Sequence, residues 1–105
     1  MFKKCCVCFL VLLFSCSSVY SKSNVGEGAS LLVFSKTKGY RHKSIPAGKQ
    51  LIQDIANTHG FKVHFSEDAR IFNPKDLNGF DAVLFLNTTG DILNEAQQKA
   101  FELYI

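Results

Sequence analysis

Tryptophan is absent from this chain, proline occurs only twice, and no cysteine lies beyond position 16. Each shortage excludes something. All four cysteines (Cys5, Cys6, Cys8 and Cys16) fall in the first 16 of 105 residues, so the remainder has no disulfide, no thiolate metal site and no thiol nucleophile. With 47% hydrophobic residues and few prolines, the chain is neither a collagen-like repeat nor a disordered low-complexity segment. An excess of one charge is also missing. The formal charge of +3 includes Lys3 and Lys4, and beyond residue 15 ten Lys and Arg stand against nine Asp and Glu. A body so nearly neutral lacks the electrostatic footprint of a nucleic-acid binder, and no nucleic-acid partner is expected. Nor is there an apolar run of the roughly 20 residues a membrane-spanning helix needs.

The longest apolar run is Cys5 to Phe14, preceded by Lys3 and Lys4. A short positive segment followed by about ten apolar residues is the pattern of a secretory signal. Two exits compete. Leu13-Phe14-Ser15-Cys16 resembles a bacterial lipobox, which makes residues 1–16 a lipoprotein signal and Cys16 the lipidation site; the bulky Phe14 departs from that pattern. Ordinary cleavage after Val19-Tyr20-Ser21 makes residues 1–21 the signal instead. The lipoprotein exit is preferred, because residues 17–29 are rich in Ser and Gly and read as a flexible tether. The expected location is therefore the bacterial cell envelope, either anchored in the membrane through Cys16 or periplasmic.

From Ser30 onward strand-like and helix-like segments alternate. Leu31-Leu32-Val33-Phe34 is a continuous apolar run, as in a parallel strand covered on both faces. Ser44 stands as a helix cap with Pro46 in the first turn, and Gly48, Leu51, Ile52, Ile55 and His59 follow at helical spacing up to a terminating Gly60. Phe61 to Phe65 alternates apolar with polar, which suits a strand near a sheet edge. Asn73-Pro74 opens a short turn of helix through Leu77. Phe80 to Leu86 is the strongest strand signal and is expected at the centre of the sheet. Asn94 and Gln97 have the spacing of a capping box ahead of a stripe of Gln97, Ala100, Phe101 and Tyr104. The expected fold is α/β, a doubly wound parallel sheet of flavodoxin-like type. With three strands and about 75 ordered residues the core is small and one apolar edge is open, so residues 30–105 are expected to be the front part of a longer domain.

Two polar loops then meet at the carboxyl ends of the strands if the first and third are neighbours, which is where open parallel sheets bind ligands. One runs from Ser35 to Ser44 and the other from Asn87 to Asp91. Ser35, Thr37 and Gly39 match the phosphate loop of flavodoxins poorly, because Arg41 and His42 stand where small hydroxyl residues belong. Val33 to His42 with Ser44-Ile45-Pro46, Ser66-Glu67-Asp68-Ala69, and Phe80 to Asp91 together resemble, in order, the trehalose-utilisation (ThuA-like) family. The resemblance implies a fold similar to class I glutamine amidotransferases. It also implies a link to disaccharide use and fusion or association with sugar-oxidising or carbohydrate-binding domains. The turn that carries a His in this family, and a catalytic Cys in the amidotransferases, follows a later strand than any here.

The expected partner is a small sugar, bound through Thr37, Gly39, Tyr40, Arg41, Asn87, Thr88, Thr89 and Gly90. These supply neutral donors and acceptors, one aromatic face and close backbone approach. His42 and Asp91 are the candidate acid–base residues, since both titrate and both lie on these loops. Arg41 can instead close an internal salt bridge, and Glu67-Asp68 reads either as an acid pair or as a solvated turn. The three histidines lack ligand spacing, so no metal and no cofactor are expected. The alternative function is a non-catalytic interaction or scaffold module of an envelope protein.

Overall fold

The structure is a computed structural model that describes residues 28–105. The leader, Cys16 and nearly all of the tether lie outside the described residues. Three parallel strands, β1 (Ser30–Phe34), β2 (Lys62–Ser66) and β3 (Ala82–Phe85), lie in the order β2-β1-β3. Helix α1 (Ile45–His59) connects β1 to β2. A 3₁₀ turn (Ala69–Ile71) and the one-turn helix α2 (Pro74–Leu77) lead to β3, and α3 (Glu95–Tyr104) follows it. Reversal of the strand order at β1 makes this the start of a doubly wound α/β sheet, as its sequence pattern predicts.

β1 is central because it is apolar on both faces. Leu32 and Phe34 face a cluster containing Ala69, Phe72, Leu77 and Ala100, with Val83 and Phe101 packed against it. The alternate residue Val33 is equally buried and faces the α1 layer. Phe34 anchors the first face, with its ring edge-on to Phe72 at 4.8 Å. Truncating such a buried aromatic costs about 3–5 kcal/mol. The α3 stripe packs as its spacing predicts, and Tyr104 Oη donates to the Phe80 carbonyl at 2.7 Å. Partial burial and the neighbouring Asp81 push the Tyr104 phenol above its ordinary value.

Three expectations need correction. β3 is not central: it is an edge of the described sheet, and Leu84 and Phe85 are 37% and 39% exposed. Its apolar run reports two faces meant for cover, which does not determine strand order. In α1 the buried face turns on Ile45 and Ala56, leaving Leu51 and Ile55 exposed at 60% and 42%. Ser44 occupies the N-cap position but its side chain makes no capping bond: its backbone is helical, at φ −75° and ψ −10°, where a cap needs extended backbone, and its hydroxyl oxygen accepts from Asn87 Nδ2. The other punctuation holds. Gly60 ends α1 at a left-handed φ of 75°, and Asn94 and Gln97 form the reciprocal capping box of α3.

Candidate functional site

Because β1 and β3 pair in parallel, the loops that leave them emerge side by side at one end of the sheet. Several bonds then fasten the two loops together. Thr37 and Thr89 form an isolated parallel bridge, and the Lys38 amide donates to the Thr89 carbonyl at 2.8 Å. Thr89 Oγ1 donates to the Tyr40 carbonyl at 2.7 Å, and Asn87 Nδ2 donates to Ser44 Oγ at 2.7 Å. So close an approach needs unusual backbone. Gly90 takes φ +76°, and a Cβ there would lie 3.1 Å from Lys38 Cβ and 3.2 Å from the Gly39 nitrogen. Asn87 takes φ +48° without being glycine, a conformation that asparagine tolerates better than most side chains.

The candidate residues divide by environment. Thr37, Thr88 and Thr89 are half-buried between the loops, while Gly39, Asn87, Gly90 and Asp91 are exposed around them. Tyr40 projects into solvent at 68% exposure, with His42 edge-on to its ring at 5.0 Å. His42 is itself exposed, and no hydrogen bond or ion pair joins it to Asp91 among the described residues. The two candidate acid–base groups therefore do not form a preassembled pair.

Arg41 is engaged within the protein. Its guanidinium forms a two-armed bond to the Glu67 carboxylate at the end of β2, the longer arm at 3.3 Å, and reaches Thr37 Oγ1 at 3.4 Å. Lys49 Nζ stands 3.6 Å from the same carboxylate. Hydrogen bonding to Arg41 is the main reason that the Glu67 carboxyl lies below its ordinary range. Asp68 belongs to a different pair. Its oxygens accept from the Arg70 side chain and backbone amide, which brings its pKa down to about 2. Glu67 and Asp68 are thus two separately paired carboxylates, not an acid pair. Arg41 ties the β1–α1 loop to β2, and its fork is occupied.

Two residues that the sequence offers only as a helix cap and a loop hydroxyl, not as site residues, also stand here. Ser44 meets Asn87 across 43 positions, a pairing that no local pattern reveals. Ser35 is fully buried at the end of β1, and its hydroxyl has no hydrogen-bond partner among the described residues. Elsewhere, a groove of about 210 Å³ between α2 and α3 is lined by Pro74, Leu77, Ala100, Leu103 and Tyr104. A second opening lies at the amino end of β3, between Phe80 and Phe101. Both are away from the paired loops. Among the described residues no group of three His, Cys, Asp or Glu side chains is placed to hold a metal ion, and no helix is long and apolar enough to cross a membrane.

A family model for trehalose utilisation (ThuA) matches residues 30–105. No curated protein and no solved structure matches the chain. The family match spans every strand and helix described above, and it agrees with the ordered motifs at Val33–His42, Ser66–Ala69 and Phe80–Asp91. The chain belongs to the ThuA trehalose-utilisation family.

Proposed function

We propose that this ThuA-family chain binds a sugar, a disaccharide in the first instance, where the β1–α1 and β3–α3 loops meet. The observation that carries the reading is the fastening of those loops to each other at the point where strand order reverses. Ligands of open α/β sheets bind at that point. The residue types suit a sugar. Thr37, Thr88, Thr89 and Asn87 offer neutral donors and acceptors, Asp91 can accept from sugar hydroxyls, and the Tyr40 ring presents an exposed apolar face to a pyranose. Arg41 acts indirectly, by holding the loop against Glu67. His42 beside Tyr40 and Asp91 across the loops remain the candidates for proton transfer, with a bound substrate between them.

Export belongs to the same proposal. A leader of this pattern would direct the domain to the cell envelope, where it would meet incoming sugars, and lipidation at Cys16 would anchor it through more than one acyl chain. Fused or associated sugar-oxidising or carbohydrate-binding domains would then act on the same sugar.

Calorimetric titration of the full chain with trehalose, other disaccharides and monosaccharides tests the binding. Saturable heat with a disaccharide, weakened in Tyr40→Ala and Thr88→Val, is expected. No heat with any sugar, together with binding of a nucleotide or flavin, overturns it. Fractionation with acyl-chain labelling of wild type and Cys16→Ala tests the anchor, which fails if the wild type is soluble and unlabelled.

A further inference from the structure

The two edges of the described sheet are built differently. On β2, Lys62 and His64 stand exposed, and a lysine is one of the devices that keep an edge strand from pairing with another chain. β3 has no such device. It contains neither lysine nor proline, its register against β1 runs without a bulge, and no charged residue stands between Asp81 and Asp91. Ala82, Leu84 and Phe85 are all exposed along it.

Apolar surface flanks this edge on both faces of the sheet. On one face the Phe85 ring lies 5.4 Å from Phe101, and the exposed Ile105 borders the opening between Phe80 and Phe101. On the other, alternation turns Leu84 and Leu86 toward α1. The helix meets them at Gly48, where a Cβ would stand 3.0 Å from Leu86 Cδ1. Leu51 and Ile55 follow Gly48 on the same side of α1, which runs back toward the amino ends of the strands. These two exposed side chains therefore border Leu84.

Charge gives the edge a direction. Asp81 stands at the amino end of β3, and Lys38 lies beyond its carboxyl end, bonded through its amide to Thr89. Neither side chain has an ion-pair partner within 4.0 Å among the described residues. A second β3 laid antiparallel sets the acidic end of each strand against the basic end of the other.

We propose that a second copy of this chain pairs with β3, antiparallel about a two-fold axis perpendicular to the sheet. Such an axis keeps each face of the sheet on its own side, so the Phe85–Phe101 surface meets its copy, and Leu84 with Leu51 and Ile55 meets its copy. Opposed residues of antiparallel strands project to the same face, so one residue of β3 must lie opposite itself. With Leu84 in that place, Val83 opposes Phe85 of the copy, and Asp81 opposes Asn87, two positions short of the Thr89 that holds Lys38. The contact is isologous and closes at two copies, joining the sheets in the order β2-β1-β3-β3-β1-β2.

Sedimentation equilibrium of the full chain, with hydrogen exchange at low and high protein concentration, tests this. A concentration-dependent dimer is expected, with amides of β3 gaining protection as it forms and those of β2 unchanged. Leu84→Lys sets two cations opposite each other and should weaken the dimer at least about tenfold. Leu103→Lys, in the groove between α2 and α3, should leave it as in wild type. A wild type that stays monomeric overturns the proposal and leaves the edge to a later strand of a longer chain. Assemblies that grow beyond two copies overturn the two-fold closure. A dimer that protects β2 and not β3, or that both lysine variants weaken equally, overturns the assignment to β3. Should Leu84→Lys fail to fold, the exchange pattern of the wild type decides alone.

Discussion

Replacing Gly90 by alanine should loosen the loop junction, and Gly39→Ala provides the control. Gly90 sits at φ +76°, where a side chain is strained, and its new methyl would meet Lys38 Cβ at 3.1 Å and the Gly39 backbone nitrogen at 3.2 Å. The left-handed conformation alone costs about 1–2 kcal/mol. The second contact is backbone and cannot swing aside, so the Thr37–Thr89 bridge has to shift and the total reaches about 2–3 kcal/mol, within the range of strained-backbone substitutions. For a domain of this size that lowers the melting temperature by about 8–24 °C. Gly39 lacks a left-handed φ, and a methyl there meets Thr89 Oγ1 at 3.5 Å, Thr89 Cβ at 3.6 Å and the Gly90 nitrogen at 3.9 Å, all ordinary contacts. Its alanine variant should stay within about 0.5 kcal/mol of wild type. Circular-dichroism melts give the two stabilities. Hydrogen exchange of the Lys38 amide, bonded to the Thr89 carbonyl, reports the junction itself. Equal melting of the two variants, with Lys38 protected as in wild type, would refute the reasoning.

Three further expectations concern other parts of the fold. Tyr104→Phe removes the 2.7 Å bond to the Phe80 carbonyl and should cost about 1 kcal/mol in a denaturant titration; an unchanged midpoint would mean that α3 is held by packing alone. The Glu67 carboxyl lies below its ordinary 4.5, and Asp68 falls from 3.8 to about 2. Both pairs therefore contribute fully above their unfolded values and are lost as pH falls through the lower folded ones, so loop protection measured by hydrogen exchange should decline between about pH 4.5 and 2. In Arg41→Gln the Glu67 carboxyl, followed by NMR, should titrate higher than in wild type. Finally, because Leu84 and Phe85 stand exposed on β3, an edge of the described sheet, the chain is expected to self-associate in sedimentation velocity and Leu84→Lys to reduce that association; a monomeric wild type, or equal association of the two, would contradict this.

What could be read from the chain depended on how local the determining interaction is. Gly60 and the Asn94–Gln97 box announce helix ends because cap and helix lie within a few residues of each other. The apolar run of β1 announces a strand covered on both faces, and it is one. Strand order is not a local property, and β3, equally apolar, lies at the edge of the described sheet. The buried stripe of α1 lies one step around the helix from its large apolar residues, with Ala56 covered and Leu51 and Ile55 exposed. Ser44 has the residue type of a cap, but neither its helical backbone nor its partner Asn87, 43 positions away, is a local pattern. At the candidate site the two loops could be named from their polar residues, and their neighbourhood followed from the β1–β3 pairing. The occupation of Arg41 by Glu67 was one of two open readings, and only geometry could choose between them. The unpartnered hydroxyl of Ser35 has no signature in sequence at all.

The central claim is that the joined β1–α1 and β3–α3 loops form the ligand site of this ThuA-family chain. Backbone amide NMR during titration with trehalose tests it most directly, because it reports position independently of affinity. The account predicts shifts concentrated at residues 35–47 and 87–91. Shifts confined to the groove between α2 and α3, at Leu77, Ala100 and Leu103, with the joined loops unmoved, would contradict it.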